Sequence, residues 1–419
     1  MVIDQLTDCP WPFGEPAKIS QYSTVSRRWV TRTQRHHFKS VFFSGQRGLE
    51  KWRTIIKPDP FGVSQYVREL TWGWVETLEG FDGHIRAFTN VEVATLIGCD
   101  ILLSPSVVES FSPLGSSLVG LEIEAALTTH SIIAPLLATL PRLRHLRANF
   151  LTVLGDRNVT GLPSRVPFFE GANSLDLSIG GDVEEPFNWI PRSARFCDLR
   201  IDESSILDES GSVKQWIASS TSTLRFLSVA INPVGRHLKL YGLTSLPDCD
   251  FPPGPGSTPL DLSRCTALGS IEFRITRPRS GIFADIVLPS SHLLPPPKIV
   301  LVYEGPLSMR TDSQAWEAMG RNLCRMAKQV KTTHPERKME VEVSVGGWGG
   351  EVTVGGWGGK VTADGAGGEG TPGGWGGEVS ADGWGGGSNP TSMEWLKSRE
   401  AMLKLEEDAN VVITNQEVR

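Results

Sequence analysis

One spacing constrains this chain more than any other. An apolar residue is followed by two residues, an apolar residue, one residue and a third apolar residue. It occurs as Val67–Leu70–Trp72, Val91–Ala94–Leu96, Leu118–Leu121–Ile123 and Leu143–Leu146–Ala148. It returns as Ala172–Leu175–Leu177, Ala194–Cys197–Leu199, Leu224–Leu227–Val229 and Leu268–Ile271–Phe273. The middle residues follow one another at steps of 24, 27, 25, 29, 22, 30 and 44 residues. The last two apolar positions are one residue apart, so in an extended chain both side chains lie on one face. A unit of this length is too small to bury that face alone, and successive units must stack. The spacing therefore predicts one short parallel strand per unit. Helix-compatible segments fall between them: "PSVVESFSPLG", "TTHSIIAPLLATLP" and "DESGSVKQWIASST". The alternative is an ordinary α/β protein with several leucine-rich strands.

Two copies carry the pattern further and favour stacking. "VEVATLIGCDI" supplies Val91, Ala94, Leu96, Cys99 and Ile101; "LRFLSVAINPV" supplies Leu224, Leu227, Val229, Asn232 and Val234. Both fit L-x-x-L-x-L-x-x-[NC]-x-L, the signature of a leucine-rich repeat. In that signature the Asn or Cys side chain hydrogen-bonds the turn that leaves the strand. The expected fold class is α/β: a leucine-rich-repeat solenoid over residues 46–345, with a short helical module before it. The longest step holds a Pro/Gly-rich loop, "PDCDFPPGPGSTPLDLSRC", and "RPRSGIFADIVLPSSHLLPPPK" is a further insertion before a final strand, "IVLVYE". "SQAWEAMGRNLCRMAKQV" reads as an amphipathic helix with Trp316, Met319, Leu323, Met326 and Val330 at helical spacing. "KMEVEVSV" alternates as an edge strand would. Together these are expected to cap the array.

Composition changes at Gly346. "GGWGGEVTV", "GGWGGKVTAD" and "GGWGGEVSAD" repeat with small variations and carry Trp348, Trp357 and Trp375, with Trp384 following in "GWGGGSNP". Ordering glycine is costly in entropy and the segment offers little apolar surface, so residues 346–392 are expected to be a disordered low-complexity insert. Residues 393–419 read as a short charged helical tail. Of the 419 residues, 39% are apolar and 44 are glycine. The glycines account for much of the shortfall from an average globular composition.

The chemistry of a catalyst is missing from the sequence. It has no G-x-S-x-G, P-loop, G-x-G-x-x-G, H-E-x-x-H or EF-hand motif, so no enzyme activity, cofactor or metal is expected. His36 and His37 are adjacent, point about 100° apart on a helix, and read as a solvated face. The six cysteines stand far apart and none forms C-x-x-C, so reduced thiols are expected. The first ten residues, "MVIDQLTDCP", have an acid at Asp4 and no apolar core of a secretory signal. No apolar run approaches the length of a membrane span. The expectation is an intracellular protein, cytoplasmic or nuclear, with no membrane partner. A net charge of −6 disfavours generic nucleic-acid binding, so any basic patch must act locally.

Such a patch lies near the start. Lys18, Arg27, Arg28, Arg32, Arg35, Lys39 and Arg47 occur between Ala17 and Leu49 without one acid. As a helix, this stretch places Tyr22, Val25 and Trp29 on one stripe with Ile19 a turn earlier, while Arg27, Arg28 and Arg35 lie largely off it. Trp29 therefore falls in line with aliphatics, which favours packing over base stacking.

"MVIDQLTD" followed by "ISQYSTVSRRWV" resembles the F-box, a short helical module. Val2, Ile3 and Leu6 match its first helix; Val25, Ser26, Arg27, Arg28 and Trp29 match its Val-Ser-Arg-x-Trp helix. "RHHFKSVFF" resembles the strand that leads from an F-box into leucine-rich repeats in many fungal proteins. The resemblance covers residues 1–45 and, loosely, the repeats up to about residue 345. It implies a substrate-recognition subunit of an SCF-type cullin ubiquitin ligase. Ile3, Leu6, Val25 and Trp29 would then serve docking on the Skp adaptor, and the repeats would hold a protein substrate. The chain departs from the F-box pattern where "CPWPFGEPAK" replaces a short link. The alternative is a non-enzymatic leucine-rich-repeat interaction scaffold with a degenerate F-box.

Residues flanking the strand's apolar positions point away from the core. Stacking lines them up as a concave binding surface: Glu69 and Thr71, Val93 and Thr95, Glu122 and Glu124, His145 and Arg147, Ser174 and Asp176, Phe196 and Asp198, Phe226 and Ser228. Acids outnumber bases there, which disfavours nucleic acid. Phe196 and Phe226, on consecutive strands, read either as an exposed aromatic pair or as a pair covered by neighbouring insertions such as "PDCDFPPGPGS".

Overall fold

The apolar alternation becomes a parallel sheet. The computed structural model describes residues 38–56, 62–149, 151–154, 165–178, 189–202, 211–231, 260–275, 286–289, 295–303, 313–346 and 409–416. Its strands are β1 Ser40–Ser44, β2 Glu69–Gly73, β3 Val93–Ile97, β4 Gly120–Glu124, β5 Leu127–Thr129, β6 His145–Asn149, β7 Thr152–Leu154 and β8 Asn173–Ser178. They continue as β9 Phe196–Asp202, β10 Phe226–Ile231, β11 Leu260–Asp261, β12 Ser270–Ile275, β13 Ile286–Val287, β14 Lys298–Tyr303, β15 Met339–Gly346 and β16 Ala409–Gln416. One 12-stranded sheet has the order β1-β2-β3-β4-β6-β8-β9-β10-β12-β14-β15-β16, which is chain order throughout. Every neighbouring pair is parallel. β5 with β7, and β11 with β13, form two small satellite sheets.

The pairing aligns the repeated apolar positions. Val41, Leu70, Ala94, Leu121, Leu146, Leu175, Leu199, Leu227, Ile271, Ile299 and Val341 form one buried row across the sheet. Two residues further along each strand a second buried row runs from Phe43 and Trp72 through Ile123 and Val229 to Leu301 and Val343. Each fully buried aliphatic side chain stabilises the fold by roughly 1.5–3 kcal/mol relative to exposure. The rows pack against the segments between strands. Leucines and isoleucines of α4 (His130–Ala138), Trp216 of α6 (Ser212–Ser219) and Met319, Leu323, Met326 and Val330 of α7 (Ser313–Thr333) are buried there. The other helices are α1 Gly45–Ile56, α2 Asp82–Ile85, α3 Ser106–Phe111 and α5 Pro167–Glu170. At the first end of the sheet Phe43 meets Trp52 of α1 edge-on at 5.8 Å, Trp72 at 5.7 Å and Phe81 at 5.5 Å.

Three expectations require correction. β8 and β9 do not pair residue for residue: Asn173 faces Phe196, but Ser174 faces Asp198, leaving Cys197 as an extra residue in a bulge. The apolar set of this unit is thus Phe196–Leu199–Ile201 rather than Ala194–Cys197–Leu199. Phe196 is fully buried, edge-on to Trp216 at 6.0 Å, and not on the exposed face. The bulge is closed by hydrogen bonds to the following unit. Phe196 N–H donates to Ser220 Oγ at 2.9 Å, Thr223 Oγ1 donates to Phe196 O at 3.0 Å, and Arg225 N–H donates to Cys197 O at 2.7 Å. Second, β15 is not an edge strand, because β16 pairs with it from Met339–Ala409 to Gly346–Gln416. Third, residues 409–416 of the expected helical tail are strand. Most of the Gly/Trp insert, from residue 347, and the rest of the expected tail lie outside the described residues.

Candidate binding face

The sheet face opposite the core is built from the residues between the buried rows. In register, Glu69, Val93, Gly120, His145, Ser174, Asp198, Phe226, Ser270 and Lys298 form one line. Thr71, Thr95, Glu122, Arg147, Asp176, Arg200, Ser228, Glu272 and Val300 form the next. Neighbouring strands lie about 4.8 Å apart, close enough for side chains of one line to meet. From Glu122 to Arg200 that second line alternates in sign.

The alternation is realised as contacts. Thr95 Oγ1 donates to Glu122 Oε2 at 3.3 Å, and Arg147 Nε pairs with Asp176 Oδ2 at 3.6 Å. Arg200 lies over the ring of Phe226, its guanidinium carbon 5.3 Å from the centroid. Ser228 Oγ donates to Glu272 Oε1 at 2.9 Å, and Arg274 Nε reaches the same oxygen at 3.2 Å. Lys298 pairs with Glu342, and that carboxylate raises the lysine's pKa. Asp176 sits at the centre with only 28% of its side chain exposed. Desolvation raises its pKa above the ordinary aspartate range; Arg147, Arg200 and Arg274 oppose that shift, and Glu122 adds to it. The face is therefore polar and largely self-paired from β6 to β12.

The far ends of the first strands are different. The residue that follows each of β1 to β4 has a left-handed backbone: Gly45 (φ 63), Trp74 (φ 54), Gly98 (φ 55) and Ala125 (φ 50). The N–H groups of the last three extend the sheet's hydrogen bonding by one rung, Trp74 to Ile97 O and Gly98 to Glu124 O at 2.8 Å, and Ala125 to Asn149 O at 2.9 Å. Just beyond, Cys99 Sγ donates to Trp72 O at 3.0 Å, the turn-closing role the repeat spacing assigns to it. Asn232, its counterpart in the other full match, lies outside the described residues. Trp74 is 62% exposed, and its indole lies across Gly98, where a β-carbon would stand 2.9 Å from its Cδ1. Phe42 on β1 leans over Gly73, whose β-carbon would meet the ring at 3.0 Å.

Glu69, Thr71, Glu122, His145, Arg147, Asp176, Asp198 and Phe226 thus lie on the face expected for them, and Phe196 does not. Phe226 is half-buried beside Asp198 under Arg200, so no exposed aromatic pair exists there. Sequence reasoning missed Arg200, Glu272 and Arg274, and it missed Trp74. The spacing Phe196–Leu199–Ile201 would have placed Arg200 outward and made the adjoining repeat steps more regular. Nothing in the spacing signals Trp74, because its exposure follows from one positive φ. Ile3, Leu6, Val25 and Trp29 lie outside the described residues. Burial pushes the Cys265 thiol up to about 11 and raises Cys99, so neither is a ready nucleophile. Among the described residues no group of three or more His, Cys, Asp or Glu is placed to hold a metal ion, and no helix is long and apolar enough to cross a membrane. No protein-family model matches the chain, and no curated protein matches it.

Proposed function

We propose that the chain is a leucine-rich-repeat solenoid that serves as a substrate-recognition subunit of an SCF-type cullin ubiquitin ligase. In this reading the F-box-like residues Ile3, Leu6, Val25 and Trp29 dock on the Skp adaptor, and the exposed face of the sheet holds a protein substrate. The observation that carries the repeat reading is the chain-order parallel sheet whose L-x-L positions align in two buried rows. Support for the adaptor comes from the Val-Ser-Arg-x-Trp match at residues 25–29. A solenoid exposes one continuous strand face, the usual place for a partner. The chain itself is not assigned a catalytic step.

Co-precipitation of the full chain with purified Skp adaptor tests the ligase reading. The expected result is a complex that weakens when Ile3 and Leu6 are both replaced by alanine. A folded wild-type chain that captures no adaptor would overturn the ligase reading. It would leave the second one, a repeat scaffold with a degenerate F-box, which the inserted "CPWPFGEPAK" link favours.

A further inference from the structure

The conformation of Trp74 is costly for what it returns to the fold. Bulky residues rarely adopt positive φ, and glycine occupies the equivalent site after β1 and β3. With most of its indole in water, Trp74 gains little from burial. Strain retained at an exposed aromatic points to a use outside the fold. The neighbourhood says what that use is. Phe42 over Gly73, Ile97 on β3 and Trp74 form an apolar strip at the end of the first strands, with Phe42 and Ile97 half-buried. Beside Ile97 in register stands Glu124, and two residues back on β4 stands Glu122. Neither carboxylate has an ion-pair partner among the described residues. Arg147, which is next to Glu122 in register, turns instead to Asp176. Two further acids, Glu76 and Glu79, are exposed on the loop that follows Trp74. The guanidinium of Arg53 lies against Gly80, beside Glu79.

We infer that this strip is the docking point for an extended, basic segment of a partner protein. An apolar side chain of that segment seats on Phe42, Ile97 and Trp74, and an adjacent Lys or Arg reaches the indole face and Glu124. The chemistry requires both parts. The strip is apolar, which desolvation rewards, and its border carries two carboxylates, Glu122 and Glu124, with no ion-pair partner among the described residues. From Phe42 on β1 to Glu124 on β4 there are three spacings of about 4.8 Å, roughly 15 Å in all, the reach of four or five extended residues. This inference deepens the reading of the sheet face as a substrate surface and rests on that reading, but it does not need the adaptor.

Fluorescence anisotropy of the full chain with a labelled Lys/Arg-rich peptide bearing a few leucines tests it. A second peptide with glutamate in place of every Lys and Arg is the control. The basic peptide should bind and the acidic one should not. Trp74→Ala should weaken binding on the order of ten-fold or more, and Glu124→Gln should weaken it and flatten its salt dependence. Arg321→Ala, at an exposed position of α7 on the other side of the sheet, should leave it unchanged. Melting temperatures of the variants, close to that of wild type, exclude unfolding as the cause. Equal binding of the basic peptide to wild type and Trp74→Ala would reduce the effect to generic charge attraction and overturn the inference. So would preference for the acidic peptide, absence of binding to either, or a Trp74-dependent dimer in sedimentation. Loss of the adaptor interaction with peptide binding intact would sink the ligase reading alone.

Discussion

Between β2 and β4 the strands pair residue for residue, and each ends in a left-handed turn whose N–H continues the ladder. Between β8 and β9 one residue is extra. The first region keeps inside and outside in strict alternation over successive units. In the second, the extra Cys197 puts Phe196 in the core, while Asp198 and Leu199 keep the faces their spacing predicts. The two regions hold their backbone groups by different means. The regular strands use the neighbouring strand, whereas the bulge adds Ser220 Oγ and Thr223 Oγ1. A stacked sheet therefore tolerates an insertion where side chains of the following unit stand ready to cap it.

The sharpest way to break the regular region is a charge in its core. Leu121→Asp places a carboxylate at a fully buried position between Ala94 and Leu146 and should cost more than about 4 kcal/mol. Chemical denaturation would show a large loss of stability or no folded state; an unchanged midpoint would mean the register is wrong there. The corresponding attack on the irregular region is gentler. Ser220→Ala removes the acceptor of the Phe196 amide, leaves a buried N–H unpaired and should cost about 1–3 kcal/mol. Hydrogen exchange at Phe196 should accelerate in that variant, and full retention of its protection would show that the bulge is closed by something else.

The turn ladder offers a coupled test. Gly98→Ala forces a β-carbon into a left-handed site, at roughly 1–2 kcal/mol, and pushes it against the Trp74 indole. The cost should shrink when Trp74 is alanine, since only the backbone part remains. A double-mutant cycle with zero coupling would mean that the indole does not lie across Gly98.

The smallest effect belongs to Asp176. Its pKa is raised in the folded chain, chiefly by desolvation, so the folded state holds a proton that the unfolded state gives up. Its contribution is complete below the unfolded aspartate value and is lost as pH rises through the folded value. Relative to Asp176→Asn, wild type should therefore lose stability as pH climbs through the range just above an ordinary aspartate. Denaturation midpoints of the two proteins across acidic pH would show it, and parallel profiles would contradict it.

The sheet was legible because its signal is local and repeated. Leu70, Leu121, Leu146 and Leu227 recur at near-regular spacings that fit successive parallel strands, and Met319 to Val330 show helical period directly. The sites that escaped are those where one residue changes the phase. Cys197 is apolar enough to pass for a core position, so the bulge was invisible while Phe196 read as exposed. Trp74 follows Trp72 at strand spacing and reads as core, yet the left-handed turn carries it outward. Val411, Val412 and Ile413 stand in a row after a helical pattern, and pairing with β15 decides their state. The alternating charges of Glu122, Arg147, Asp176 and Arg200 come from distant units, and no local pattern joins them.

The two aromatics provide the most direct test of the inside and outside assigned to this sheet, with thermal unfolding of Phe196→Ala and Trp74→Gly measured side by side. Phe196→Ala opens a cavity against Trp216 and should cost about 3–5 kcal/mol. Trp74→Gly relieves a left-handed backbone at an exposed site and should leave the melting temperature equal to or above that of wild type. A stable Phe196→Ala protein together with a destabilised Trp74→Gly protein would contradict the account.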